Sequence, residues 1–192
     1  NQSIIGFTAI PANPVFSIGG TFAVSATGGA SGEPVVFAST TPGICTVAGS
    51  TVTMASAGSC ALIADQAGNA NYSAAPQEAL SVTIGSAAQV ITAFIATPAT
   101  PVFSVGGTFA VSATGGASGE PVVFASTTPS VCTVSGSTVT MVNAGSCALT
   151  ADQAGNSNYS AAPQETLSVT IGSAAQVITA FIATPATPVF SV

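Results

Sequence analysis

The sequence contains no Lys, no Arg and no His, so none of its 192 residues carries a cationic side chain. Nucleic-acid binding depends on Lys and Arg to neutralise phosphates, and we therefore expect no nucleic-acid partner. A Ser-His-Asp or Cys-His site lacks its base, a P-loop lacks its Lys, and a zinc site lacks imidazole. These absences predict a protein that is not an enzyme and that uses no cofactor.

Charge of either sign is scarce. Only 3% of the residues are charged, against about 25% in an ordinary soluble domain, and the net charge is −6. Apolar residues make up 47% of the chain and the mean hydropathy is +0.66, which excludes intrinsic disorder. No uninterrupted apolar run reaches the length of about 18 residues that a membrane helix needs, so we expect no membrane insertion.

What the sequence does have is internal repetition. Pro-Val-Phe occurs at Pro14, Pro101 and Pro188, with a period of 87 residues. Residues 14–87 and 101–174 differ at nine of 74 positions, and residues 174–192 repeat residues 87–105 without a change. The predicted domains are repeat 1 at 1–86, repeat 2 at 87–173, and the first strands of an incomplete third repeat at 174–192. We expect the natural protein to continue beyond residue 192.

Each repeat has the pattern of β structure. Apolar and β-branched runs in repeat 2, separated by Gly, Pro, Ser and Asn clusters, predict short strands at 89–96, 102–105, 108–114, 121–126, 131–134, 138–142, 146–152 and 166–171. Phe109, Val111 and Ala113 alternate with polar or small residues, as expected for a strand with one buried face. These runs amount to about seven strands plus a short leading piece, and such a number in 87 residues predicts an all-β sandwich of two sheets.

A family resemblance rests on three segments of repeat 2. Gly-Gly-Thr-Phe-Ala-Val-Ser-Ala-Thr at 106–114, the run at 121–140 and Ala-Gly-Ser-Cys-Ala-Leu-Thr-Ala-Asp-Gln-Ala-Gly-Asn at 144–156 resemble bacterial immunoglobulin-like (Big-type) tandem repeats of large secreted or surface fibre and adhesin proteins. The resemblance covers essentially the whole chain. It implies tandem immunoglobulin-like β-sandwiches and an extracellular or cell-surface location.

The same resemblance implies a function. We expect a structural protein that forms a fibre, stalk or filament by serial stacking and self-association, with neighbouring repeats and copies of itself as partners. The alternative is an adhesin or a polysaccharide-binding module on the cell surface. Thr-Pro pairs are candidate sites for O-linked glycans, at Thr41, Thr97, Thr100, Thr128, Thr184 and Thr187.

Four cysteines occur, two in each repeat, at Cys45, Cys60, Cys132 and Cys147. Four cysteines allow three pairings, and the repeat symmetry with the short separation favours one disulfide inside each repeat. Closing a loop of about 15 residues would stabilise the fold by roughly 3 kcal/mol and would indicate an oxidising compartment. The alternatives are two buried free thiols per repeat, or a metal pair with half of its ligands missing.

Two further features are candidate sites. Asp65 with Asn69, and Asp152 with Asn156, are weak calcium candidates in loops that also suit simple Asx-turns.

The segment at 90–96 is a run of mostly apolar residues. As a strand it would be hydrophobic on both faces, so we expect a neighbouring repeat or another copy of the chain to cover it. This predicted assembly strand comprises Val90, Ile91, Phe94, Ile95 and their counterparts Val177, Ile178, Phe181 and Ile182.

Overall fold

A computed structural model describes residues 1–179, which consist of β-strands joined by turns and loops. The first repeat contains β1 (Ile5–Ile10), β2 (Thr21–Thr27), β3 (Val35–Ser39), β4 (Cys45–Ala48), β5 (Thr51–Met54), β6 (Gly58–Gln66) and β7 (Glu78–Ile84). The second contains β8 (Thr92–Thr97), β9 (Thr108–Thr114), β10 (Val122–Ser126), β11 (Cys132–Ser135), β12 (Thr138–Met141), β13 (Gly145–Gln153) and β14 (Glu165–Ile171). Residues 1–179 include no helix long and apolar enough to span a membrane.

The chain divides into two compact units. The first comprises Asn1–Ala93, Ala113–Val123 and Ala151–Glu165. The second comprises Phe94–Ser112, Phe124–Thr150 and the described residues from Thr166 onward. The units do not coincide with the 87-residue repeats, whose boundaries after residues 86 and 173 stay a prediction.

The strands of the first repeat form two antiparallel sheets. One sheet has the order β1-β2-β5-β4 and the other the order β3-β6-β7. This is the arrangement of a constant-type immunoglobulin domain, in which strands A, B, E and D face strands C, F and G. The second repeat has the same pattern, with sheets β11-β12-β9-β8 and β10-β13-β14. The predicted fold class, tandem immunoglobulin-like sandwiches with seven strands per repeat, is confirmed.

The cores form because apolar residues alternate along the strands that face one another. In β2, Phe22 and Val24 are buried while the residues between and beside them are exposed, and Phe109 and Val111 do the same in β9. Val82 and Ile84 on β7 complete the first core from the opposite sheet. Apolar burial at about 25 cal/mol per Å² is the main favourable contribution to folding of such a sandwich.

One predicted strand of repeat 2 is absent. Residues 102–105 form only an isolated bridge, between Val102 and Gly172. Phe103 N–H donates to the Gly172 carbonyl (2.8 Å), after which a turn closes by a bond from Gly107 N–H to the Ser104 carbonyl (2.9 Å). The short apolar run therefore ends in a turn before it can extend a sheet, and Val105 is exposed.

Candidate functional site

Both disulfides lie inside a repeat and join its two sheets. Cys45 on β4 is bonded to Cys60 on β6, and Cys132 on β11 is bonded to Cys147 on β13. All four residues are fully buried. The bridge connects the strands that correspond to D and F of an immunoglobulin domain, whereas antibody domains bridge B and F. Each sandwich therefore carries its own covalent tie across the core.

The residues of chief functional interest form a contact between the two repeats, which we call the seam. It joins the Asn158-Tyr159-Ser160 loop of repeat 2 to repeat 1, and every seam residue belongs to the first compact unit. The partners of this loop in the seam are Phe16, Ser56 and Ala57 of repeat 1 and Ala87 at the junction of the two repeats.

Asn158 supplies the polar part of the seam. Its Oδ1 accepts hydrogen bonds from the Ala57 backbone N–H and from the Ser56 hydroxyl, both at 2.8 Å. Ala57 lies in the turn that enters β6 and is only 9% exposed. An N–H so poorly exposed to water needs a partner from the protein, and the carboxamide provides it.

The backbone continues the contact as a short parallel bridge. Ala87 N–H donates to the Asn158 carbonyl (2.8 Å), and Ser160 N–H donates to the Ala87 carbonyl (2.9 Å). Ala87 and Tyr159 are the paired residues of this bridge. The Ser160 hydroxyl also donates to the Ala87 carbonyl (3.3 Å). The seam thus aligns the loop with the peptide that connects the two repeats.

An aromatic pair closes the apolar side. The Tyr159 ring meets Phe16 edge to face, with the ring centroids 5.9 Å apart and the planes at 89°. Phe16 is buried (6% exposed), and Tyr159 packs against the core of repeat 1. Edge-to-face pairs of this kind contribute about 0.5–1.5 kcal/mol beyond the burial of their surface.

Hydrogen bonds within the loop fix the conformation of the loop that enters the seam. Asn156 Oδ1 accepts hydrogen bonds from Asn158 N–H (2.9 Å) and Tyr159 N–H (3.0 Å), and Asn156 N–H donates to the Tyr159 carbonyl (2.8 Å). A side chain on Gly155 would collide with that carbonyl. The bonds of this Asx-turn lie within the loop and involve no residue of repeat 1, and repeat 1 has the same turn at Asn69.

A buried glutamine anchors the start of each repeat. Gln89 Nε2 donates to the Ala154 carbonyl (3.0 Å), and its Oε1 accepts from Ser118 N–H (2.8 Å). Gln2 makes the same two bonds one period earlier, to Ala67 and Ser31. Both glutamines hold the segment that precedes the first strand against the Gly-rich turn after the second.

The weak calcium candidates are occupied by other hydrogen bonds. Both carboxylate oxygens of Asp65 accept from Gln77 Nε2, and Asp152 makes the same pair with Gln164. Asn69, like Asn156, holds its own turn. Within residues 1–179 there is no group of three or more Asp, Glu, Cys or His side chains placed to hold a metal ion.

The predicted assembly strand is only partly buried within the chain. Ile91 is 3% exposed and Phe94 stacks on Phe124, whereas Val90 and Ile95 are 58% and 52% exposed. The strand itself begins at Thr92, three residues later than predicted. One face therefore packs on its own sandwich and the other faces solvent, so its role in assembly stays a prediction.

The third copy of this segment adds little. Val177 and Ile178 are exposed and lie outside the strands, while Phe181 and Ile182 fall outside the described residues. The sequence did not predict the seam, because the partners of the Asn158-Tyr159-Ser160 loop are about 100 residues away in the chain. One sequence signal lies on the repeat 1 side of the seam. Position 56 is Ser, whereas the equivalent position 143 in repeat 2 is Asn, and few positions differ between the repeats.

One shallow pocket of about 280 Å³ lies beside the first residues of β3. Its lining residues carry no ionisable side chain: Val35, Val36, Phe37, Gly49 and Ser50.

No family model matches the chain, and no curated protein matches it. Among solved structures, the chain is similar to domains 1–6 of the surface layer protein SbsC (15% identity over 92% of the chain, TM-score 0.33) and to a 282-residue C-terminal fragment of intimin in complex with the intimin-binding domain of its translocated receptor (18%, 88%, 0.31). It is also similar to Drosophila N-cadherin EC1–4 (10%, 91%, 0.32). The chain spans 28%, 64% and 51% of the lengths of these three chains, respectively.

Proposed function

We propose that this chain is a structural, non-enzymatic part of an extracellular fibre, stalk or filament, built by serial joining of immunoglobulin-like units and by self-association. The observation that carries the proposal is the seam. Hydrogen bonds from Asn158, a backbone bridge at Ala87 and the Tyr159–Phe16 pair attach one repeat to the next. A repeat that only had to fold by itself would have no need of such a contact.

A mechanical role agrees with the side chains available. The chain has no Lys, Arg or His, and six acids are its only charged side chains. Two of those acids, Asp65 and Asp152, are paired with glutamine carboxamides. Proton transfer and covalent catalysis therefore lack the groups that they commonly use.

The disulfides support an extracellular location. A disulfide across a 15-residue separation stabilises a fold by about 3 kcal/mol, and such bonds persist in oxidising compartments. Each repeat has its own bridge, so every module of an array would be reinforced independently of its neighbours.

Self-association is supported by the surface. Many large apolar side chains are more than half exposed: Ile5, Ile10, Val15, Ile18, Val36, Val90, Ile95, Val102, Val105 and Val123. Soluble monomers usually interrupt such surfaces with charge, and strand edges with Lys or Pro. With few charges of one sign only, repulsion between copies is weak.

Sedimentation velocity over a micromolar concentration series, with electron microscopy of the same samples, tests the proposal. We expect species larger than one chain to grow with concentration and to appear as linear particles. Val36 and Val123 occupy equivalent exposed positions on the edge strands β3 and β10. Replacing either residue by Lys adds a charge at the strand edge and should weaken lateral association. A single monomeric species at every concentration would contradict the proposal.

A further inference from the structure

One strand in each repeat lies at the edge of its sheet with no strand beside it in the described part of the chain. The order β3-β6-β7 places β3 at such an edge, and β10 has the same place in the sheet β10-β13-β14. Both strands have the sequence Val-Val-Phe-Ala-Ser. We call β3 and β10 the open edges.

Each open edge presents main-chain groups without partners. Thr40 N–H, just after β3, donates to the Ala61 carbonyl on β6 (2.9 Å). Main-chain groups of successive residues point to opposite sides of a strand, so the even-numbered residues of β3 bond to β6. The N–H and carbonyl groups of Val35, Phe37 and Ser39 face away from β6 and have no hydrogen-bond partner among residues 1–179. The edge therefore offers three donors and three acceptors to another strand.

The other sheet edges of repeat 1 are protected. Proteins protect such edges by bulges, by short strands or by a covering segment. β1 has a bulge between Ile5 and Thr8, and β4 has only four residues. At the end of β7, Gly85 N–H donates to the Pro14 carbonyl, and Phe16 N–H donates to the Gly85 carbonyl. β3 has none of these features, because its five residues pair with β6 in an unbroken register and include no Pro and no charge.

The adjacent repeat leaves the open edges uncovered. Val36 on β3 is 62% exposed although a repeat follows it in the chain, and Val123 on β10 is 61% exposed although a repeat precedes it. The two residues occupy the same position in consecutive repeats. Neither a preceding nor a following repeat therefore covers this surface, and its exposure does not depend on the place of a repeat in the series.

Space for another strand is present beside β3. The pocket of about 280 Å³ lies between Val35, Val36 and Phe37 of β3 and Gly49 and Ser50 of the turn that joins β4 to β5. This turn belongs to the opposite sheet of the same sandwich. It leaves the first half of the open edge accessible from the side on which a strand would have to approach.

We propose that an open edge of one copy pairs with an open edge of a second copy, antiparallel and centred on Phe37 or on its equivalent Phe124. This inference rests on the proposed function and names the surface through which copies associate. In this register Phe37 lies opposite Phe37 of the second copy, and Val35 lies opposite Ser39. Each opposed pair of this kind exchanges two main-chain hydrogen bonds, so all outward groups of both strands are used.

The partner is a second copy because the edge is complementary to itself. The two-fold arrangement places Val36 beside Ala38 of the other copy on the same outward face. Glu33 of each copy lies at opposite ends of the paired strands. Asp65 on β6 is separated from its counterpart by roughly 14 Å, three strand spacings of about 4.8 Å. That distance exceeds the screening length of about 8 Å at physiological ionic strength, so no like charges oppose the contact.

Cysteine crosslinking of the full chain tests both the pairing and its register. Directly opposite residues have Cβ atoms about 4.5–5.5 Å apart, close enough for a disulfide after small adjustments. One variant carries Val36→Cys with Val123→Cys, and the other carries Ala38→Cys with Ala125→Cys. Under mild oxidation we expect the mixture of the two variants to form disulfide-linked chains at least tenfold faster than either variant alone.

A position away from the edge provides the matched control. Ser81 and its equivalent Ser168 are exposed on β7 and β14. The Val36→Cys and Val123→Cys variant, mixed with a Ser81→Cys and Ser168→Cys variant, should crosslink no faster than either does alone. Association without the preference for the first mixture would refute the pairing of open edges and leave the proposed function standing. Monomers at every concentration would refute both.

Proline at the first residue of each open edge gives the quantitative test. Val35→Pro with Val122→Pro removes one outward N–H from each edge and no bond to β6, and Pro is accommodated at the first residue of a strand. Val35→Ala with Val122→Ala shortens the same side chains and keeps the N–H. Since two hydrogen bonds are lost from each contact, we expect the Pro variant to associate tenfold to roughly hundredfold more weakly by sedimentation equilibrium. Equal association of the two variants, both folded by circular dichroism, would overturn the proposal.

Discussion

Replacing Asn158 by Ala tests whether the seam contributes to stability. The substitution removes the oxygen that accepts from Ala57 N–H and the Ser56 hydroxyl. The hydroxyl keeps an alternative acceptor in the Ala57 carbonyl at 3.2 Å, whereas the Ala57 N–H has no other partner within residues 1–179. Leaving a poorly exposed donor unsatisfied costs about 1–3 kcal/mol. We therefore expect the unpaired Ala57 N–H, and not the Ser56 hydroxyl, to account for the loss of stability.

Native-state hydrogen exchange measured by NMR reports that amide directly. At a concentration where the chain is monomeric, we expect the Ala57 amide to exchange roughly 5- to 150-fold faster in Asn158→Ala, since 1.4 kcal/mol corresponds to a factor of ten. Amides in the centre of β6, such as that of Leu62, should keep their protection because both sandwiches stay folded.

Two controls make the outcome decisive. Asn158→Asp keeps the acceptor oxygens and should preserve the slow exchange at Ala57. Asn71→Ala removes the equivalent side chain where it makes no hydrogen bond within the described residues, and should change stability by less than about 0.5 kcal/mol. If Asn158→Ala left the Ala57 amide as protected as Asn71→Ala does, the seam would be a contact without energetic consequence.

Two further predictions concern each repeat by itself. Ala93 has a positive φ of 54°, and the equivalent residue of repeat 1 is Gly6 with a φ of 67°. Because a positive φ strains a residue that has a Cβ, Ala93→Gly should raise the free energy of unfolding, measured by urea titration, by about 0.5–1 kcal/mol. Gly6→Ala should lower it by a similar amount. No atom lies within 4 Å of a Cβ built on Gly6, so a steric clash would add nothing to the backbone strain. A loss of stability well above this range in Gly6→Ala would therefore contradict backbone strain as the cause. Removing either disulfide as a Cys-to-Ala pair should cost about 3 kcal/mol, and equal losses for the two pairs are expected because both close the same 15-residue separation.

Much of the fold could be predicted from the sequence because it depends on local patterns. Alternating residues such as Phe109 and Val111 indicate a strand with one buried face, and the strand has the predicted bounds of 108–114. The segment at 102–105 was predicted wrongly since its apolar residues look like a strand. Its pairing is limited to the bridge with Gly172, which is remote in sequence, and the turn closed by Gly107 N–H and the Ser104 carbonyl ends that pairing.

The seam could not be predicted by the same means. Its side-chain hydrogen bonds join residues that are 101 and 102 positions apart in the sequence. Neither the alternation of apolar residues nor the turn residues indicate contacts at that separation. The loop itself was predictable as an Asx-turn from its asparagines. Its partner was not, because the Ala57 N–H is a backbone group that any sequence would supply.

The lack of cations and the composition of the seam have a common physical consequence. Ion pairs at a surface weaken as salt rises, since mobile ions screen them beyond a distance of about 8 Å at physiological ionic strength. The seam uses a neutral carboxamide, backbone amides and two aromatic rings, so it contains no charge for salt to screen. Salts that are excluded from protein surfaces strengthen apolar burial instead. A series of repeats joined by such seams would therefore hold together across the changes of ionic strength that an exposed fibre meets.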